Sequence, residues 1–238
     1  MKIRDILAKN EPTLSFEVFP PKTEDKYESV EMAASEIAKL NPAFMSVTYG
    51  AGGGTSQYTV DIAASLKAKG VTPLAHLTCV SSTREKVHSV LEQLKAEGIE
   101  NVLALRGDIP KDGKVENDYR YASELIAEIK ASGDFCIGAA CYPEGHVESV
   151  NKTEDIQHLK EKVEAGCDFA TTQMFFDNNI LYNYLYRVRE KGITVPVIAG
   201  IMPVTNVAQI KRICSMSGTI FRRALKPLLT VLVIILQL

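Results

Sequence analysis

LSFEVFPPKTE, residues 14–24, opens on an apolar run of strand length that carries one carboxylate, Glu17, and stops at Pro20-Pro21. That stop decides the fold. Apolar strands alternating with amphipathic helices suit either an open doubly wound sheet or a closed barrel, but the open sheet usually presents a glycine-rich dinucleotide turn after its first strand. Here the first strand ends in two prolines instead, which favours the barrel.

Working outward, further apolar runs at 44–49, 73–79, 101–106, 136–142, 169–175 and 196–201 read as strands. Stretches with apolar residues at three- and four-residue spacing, at 27–40, 56–69, 84–97, 119–131, 153–165, 179–191 and 205–216, read as the helices between them. Thr83, Thr153 and Thr205 supply N-cap hydroxyls ahead of three of these, and Gly70, Gly98, Gly166 and Gly192 punctuate helix ends. Strand then helix, repeated, demands parallel pairing with right-handed crossovers. The expected class is α/β, a (β/α)8 TIM barrel.

The eighth unit is the exception. After Cys214 the chain reads SMSGTIFRRALKPLLTVLVIILQL, with no further strand–helix pair, so residues 1–218 are expected to form the barrel domain and 219–238 an apolar tail. The eighth strand–helix unit is missing or replaced in this reading. The final run from Leu228 is too short to span a bilayer, and it suits a buried strand or a helix about equally.

Charge narrows the partners. With 27 Lys and Arg against 29 Asp and Glu, the net charge of −2 argues against nucleic acid or an anionic membrane. Five scattered cysteines, an odd number with no CxxC pair and no apolar leader, indicate a reduced, cytoplasmic setting. Cysteines within or beside apolar runs read as small buried hydrophobes. No metal-ligand spacing is visible.

Four strings place polar groups at the ends of strands, where barrels of this kind keep their chemistry: SFEVFPPKTE (15–24), VTYGAGGGT (47–55), LALRGDIP (103–110) and ATTQMFFD (170–177). Glu17 would be costly to bury unpaired; in a partly dry pocket its pKa rises and it can act as a general acid, although a buried salt bridge explains it equally well. Thr48, Tyr49 and Gly50 to Gly54 allow close backbone approach to a ligand, or simply form a flexible loop. Arg106-Gly107-Asp108 joins a cation and a carboxylate on one turn, suited to phosphate and heterocycle or to pairing with helix ends. His76 lies within a strand, where a satisfied core histidine is the ordinary case. The amide of Gln173, set among aromatics, offers a heterocycle both a donor and an acceptor.

Eight segments in order, SFEVFPPKTE, FMSVTYGAGGGT, AHLTCV, NVLALRGDIP, YASEL, YPEGHVES, FATTQMFFD and AGIMPVTN, resemble the methylenetetrahydrofolate reductase family, specifically its bacterial-type catalytic barrel. The resemblance covers about residues 1–218. It implies a flavoprotein, with FAD, that passes hydride from NADH or NADPH to 5,10-methylenetetrahydrofolate and forms 5-methyltetrahydrofolate, in one-carbon and methionine metabolism. By the same resemblance Glu17 matches the acid that opens the folate's five-membered ring, and Asp108 the aspartate near the flavin and pterin. Gln173 and Gln209 match folate contacts. Thr48, His76, Arg106, Gly107, Asp108, Tyr121, Ala122, Ala140, Tyr142, His146, Asp155 and Lys162 match flavin contacts.

This chain departs from the family pattern at Val147, where proline is common, at Ile213, where some relatives carry an aromatic against folate, and through the tail. The alternative to a reductase is therefore an impaired barrel that binds flavin or a partner subunit without turning over folate. A missing unit would leave sheet edges open to self-association as a homo-oligomer, and the resemblance implies that some members work with a second subunit. A phosphate-binding barrel lyase fits less well, because no lysine stands at a strand end.

Overall fold

A computed structural model describes residues 1–9, 11–21, 23–49, 56–109, 118–203 and 206–220. Among them, seven strands form one sheet in sequential order: β1 (Ser15–Val18), β2 (Phe44–Val47), β3 (Pro73–Thr78), β4 (Asn101–Leu105), β5 (Cys136–Cys141), β6 (Phe169–Thr172) and β7 (Val197–Ile198). The registered neighbours pair in parallel. A doubly wound sheet would reverse its order at a switch point; this one does not, and the class is that of the (β/α)8 barrel.

The helices are α1 (Ile3–Leu7), α2 (Tyr27–Ala38), α3 (Ser56–Ala68), α4 (Arg84–Ala96), α5 (Ala122–Ser132), α6 (Lys152–Glu164), α7 (Asn178–Glu190) and α8 (Val207–Ser217). None of the described helices is long and apolar enough to cross a membrane. The tail from Phe221 onward, the Gly50–Gly54 loop and Thr205 lie outside the described residues, and with them the expected fate of the eighth unit.

Local chemistry sets the helix boundaries. Thr83 caps α4 as expected, its hydroxyl oxygen accepting from Lys86 N at 3.2 Å. Thr153 does not cap α6. Asn151 does, accepting from Thr153 N at 3.0 Å and Glu154 N at 2.9 Å, so the helix starts at Lys152 and Thr153 falls inside its first turn. Asn206 caps α8 in the same way, accepting from Gln209 N at 2.9 Å. The helix expected from residue 119 begins only at Ala122, because Tyr119 is drawn into the core with the Arg84 guanidinium 5.0 Å above its ring.

Two compact units divide the chain, Met1–Ala139 with Lys162–Phe169, and Ala140–Glu161 with Ala170–Leu238. In the first, the pleat separates two kinds of side chain. Val18, Met45, Val47, Ala75, Leu77, Val102, Ala104, Ile137 and Ala139 pack in one core with Val60, Ala63 and Leu66 of α3, Leu91 and Leu94 of α4, and Leu125 and Ile129 of α5. At about 1.5–3 kcal/mol for each large aliphatic side chain removed from water, this row supplies most of the unit's cohesion. Strand residues alternate in direction, so Glu17, Ser46, Leu74 and His76 stand on the opposite face.

The N-terminal ends of the first unit's strands are covered by α1. Buried Asn101 accepts from Ile3 N at 2.8 Å and donates to Met1 O and Pro73 O, each at 3.1 Å. Arg4 pairs with Asp168 at 3.1 Å, and Asp168 in turn accepts from Ile137 N at 2.8 Å. In the second unit, β6 pairs with β7 through Ala170–Val197 and Thr171–Ile198. Gly200 follows at a point where a Cβ would come within 2.2 Å of Thr172 O, so only glycine fits. Met174 and Ile210 form a small core with Phe176, Met202, Ile213 and Cys214.

Candidate active site

Register builds the first cluster. Glu17 on β1 lies opposite Ser46 on β2, and paired residues in a parallel ladder share a face. Ser46 pairs with Leu74 on β3, and His76, two residues on, shares that face again. The Ser46 hydroxyl therefore donates to Glu17 Oε2 at 3.3 Å, and His76 Nε2 stands 3.5 Å from the same oxygen.

The three groups differ in their access to water. Glu17 keeps 47% of its side-chain surface exposed, while His76 keeps 7%. Burial of its carboxyl end nevertheless pushes the Glu17 pKa above the ordinary carboxylate value, opposed by the Ser46 hydrogen bond. Burial alone drives His76 down to about 3, so its imidazole is neutral at physiological pH. Its Nε2 is buried without a hydrogen-bond partner among the described residues. The 3.5 Å approach to Glu17 is therefore a contact and not a bond.

Of the other expected positions in this unit, Thr48 and Arg106 to Asp108 lie just past the ends of β2 and β4, and the rest lie on or at the start of helices. Thr48 N donates to Val18 O at 3.0 Å, and Thr48 O accepts from the buried Thr59 hydroxyl at 3.0 Å, which fixes the start of the loop after β2. Arg106 O accepts from Val80 N at 2.8 Å, Arg106 Nε donates to Gly107 O at 3.3 Å, and Gly107 turns the chain at φ 87°. Asp108 follows, exposed. Cys79 lies beneath this turn, its thiol 3.8 Å from both Arg106 O and Tyr121 O, with its pKa pushed up to about 12 by burial. Tyr121 and Ala122 open α5, and Lys162 lies in the last turn of α6.

The second unit gathers a separate polar group. His146 N and the Ser149 hydroxyl both donate to Asp155 Oδ1 at 3.3 Å, and Asp155 is buried. The His146 ring meets Tyr142 edge-on, with centroids 4.7 Å apart. Ala140 precedes them on β5. Gln173 N donates to Cys141 O at 2.7 Å, and Gln173 Oε1 accepts from Met174 N at 3.0 Å, which engages the acceptor end of the amide. Gln209 is exposed on the first turn of α8. Val147 packs against Gly218, where an added Cβ would come within 2.6 Å of Val147 Cγ1.

The family model described as "Methylenetetrahydrofolate reductase" matches residues 2–231. The chain belongs to the methylenetetrahydrofolate reductase family. It is 37% identical over 206 residues to "5,10-methylenetetrahydrofolate reductase" of Pectobacterium carotovorum subsp. carotovorum, covering 86% of this chain and 68% of that protein. It is also 37% identical over 221 residues to "Methylenetetrahydrofolate reductase (NADH) 1" of Arabidopsis thaliana, again covering 86% of this chain but only 37% of the relative. Among solved structures, a Clostridium thermocellum protein described as binding two copies of 5-methyl-5,6,7,8-tetrahydrofolic acid superposes with a TM-score of 0.67. That match covers 96% of this chain and 78% of the other at 16% identity, and shows the fold alone.

Two polar groups of this family member were not among the sequence-derived candidates. Ser46 reads as one small residue in an apolar strand, and only the pairing of β1 with β2 reveals its contact with Glu17. Tyr184 on α7 is buried with its pKa raised by burial, and a tyrosine in an amphipathic helix carries no sequence signal for that.

Proposed function

We propose that the chain reduces 5,10-methylenetetrahydrofolate to 5-methyltetrahydrofolate with NADH or NADPH, using FAD as its resident flavin. Glu17 carries this reading. Its carboxyl group sits at a strand end, is raised in pKa by burial and lies within one of the motifs that resemble the family, as a general acid working near neutral pH requires.

The residues present fit a flavin. A neutral imidazole whose buried Nε2 has no hydrogen-bond partner among the described residues is suited to a polar atom of a heterocycle, and Gly107 lets the backbone turn closely where a side chain would crowd Thr78. In the first unit Thr48, His76, Arg106, Gly107, Asp108, Tyr121, Ala122 and Lys162 would hold it, and the resemblance alone adds Ala140, Tyr142, His146 and Asp155 of the second unit as candidates. Bound there, the flavin supplies a two-electron carrier between nicotinamide and folate.

The chain's own residues do the rest. Glu17 gives a proton to a nitrogen of the folate's five-membered ring, which opens the ring and leaves the methylene carbon electrophilic enough to accept hydride. Gln173 donates its amide N–H to the pterin, and Gln209 supplies a second folate contact. The Asp108 carboxylate stands at the end of β4 to bias both rings electrostatically. A cytoplasmic setting belongs to the same reading, in keeping with five scattered cysteines and no CxxC pair.

A purified chain should be yellow, bleach with NAD(P)H and recolour with methylenetetrahydrofolate. Glu17→Gln should leave bleaching intact and slow folate reduction by about 100-fold or more. Loss of bleaching in that variant would overturn the assignment of Glu17 as the folate acid, and a flavin-free wild-type chain would overturn the flavoenzyme.

A further inference from the structure

We propose that Ser46 is a positioning residue for the acid: its hydroxyl holds Glu17 Oε2, so that Oε1 is the oxygen that carries and delivers the proton. The inference rests on the reductase reading for its chemical meaning. Its geometric basis is independent of that reading.

Three observations support it. Ser46 is nearly buried, and its hydroxyl donates to Oε2 and not to Oε1, at 3.3 Å. Register brings the two groups together, since Glu17 and Ser46 are ladder partners whose side chains leave the sheet on one face. His76 Nε2 lies 3.5 Å from the same Oε2 on the far side of the ladder, from β3, so both neighbours converge on one carboxyl oxygen.

The chemistry follows from which oxygen is held. A proton on Oε2 would require the Ser46 hydroxyl to stop donating there and turn to accept; a proton on Oε1 leaves the observed bond intact. When Oε1 passes its proton to a ring nitrogen of the folate, the negative charge left on the carboxylate is met by the Ser46 O–H at Oε2. No atom is gained or lost beyond that proton. The hydroxyl thus stabilises the conjugate base and makes Glu17 a stronger acid than burial alone would allow. Facing the carboxyl are Ser46 from β2 and the neutral His76 from β3. Among the described residues, no charged side chain contributes to the Glu17 shift.

The test is a ¹³C-carboxylate NMR titration of the full chain, with the Glu17 resonance assigned by its absence in Glu17→Gln. Ser46→Ala and Ser46→Cys should each raise the Glu17 pKa by about one pH unit, whereas Ser46→Thr, which keeps a hydroxyl, should leave it within a few tenths. In the folate half-reaction, the high-pH limb of the rate profile should move up by the same amount in the first two variants. A Glu17 pKa unchanged or lowered in both Ser46→Ala and Ser46→Cys would overturn the proposal, and if Ser46→Ala does not fold, Ser46→Cys decides alone. The titration needs no turnover, so a chain inactive on folate with a shifted Glu17 would refute the reductase reading and leave the Ser46 assignment standing.

Discussion

Burial holds the His76 pKa at about 3 in the folded chain, against an ordinary 6.5, so between those values the unfolded chain binds more protons at this site. Stability from His76 is therefore fully present above pH 6.5 and is lost progressively toward pH 3, on the order of 1 kcal/mol for each pH unit traversed. Urea unfolding at pH 7 and pH 5 should show a smaller acid loss in His76→Asn than in the wild type. Glu17 has the opposite sign. Its raised pKa makes the folded chain hold the proton more tightly, so its contribution is present at low pH and is lost as the pH rises through the folded value. Glu17 itself was legible in the sequence, because a carboxylate inside an apolar run is costly enough to need a reason. Ser46 was not, because its contact with Glu17 depends on which strand lies beside it and in what register.

At the scale of elements, α1 shows how a short segment can close one end of a unit. Five residues cannot hold a helix by themselves, and α1 persists because Asn101, Cys136 and Asp168 receive its backbone and its arginine. Asn101→Ala would leave Ile3 N, Met1 O and Pro73 O without their partner, at a cost of about 2–4 kcal/mol. Chemical denaturation measures that loss, and hydrogen exchange should quicken first at Ile3 N. Asn151→Ala should cost about 1 kcal/mol by removing the cap of α6. The seven strands and the larger helices were readable because their periodicity is long and regular. Caps were less so: Asn151 and Thr153 both present N-cap chemistry, and only the path of the backbone selects between them. The segment that became α1 is too short to show a period at all.

Over the whole molecule, the order of the sheet follows from simple repetition of strand and helix, which is why the fold class could be read early. The cysteines test how the described parts protect their interiors. Cys79, Cys136, Cys141 and Cys167 are buried and Cys214 is partly exposed. Burial pushes Cys79 to about 12 and Cys136 to about 11, which leaves almost no thiolate at neutral pH. A thiol-reactive dye added to the native protein should label Cys214 quickly, and the four buried thiols only on unfolding. Rapid labelling of all five would contradict that burial.

The alternation of the pleat in the first unit also has an engineering meaning. The row that packs against the helices and the row that bears Glu17, Ser46 and His76 occupy alternate positions of the same strands. A library that varies only Met45, Val47, Ala75 and Leu77 would therefore explore thermal robustness while leaving Glu17, Ser46 and His76 in place. A single residue inserted in β1 ahead of Glu17 would do the reverse, turning Glu17 toward the aliphatic core and removing the proposed acid from its face.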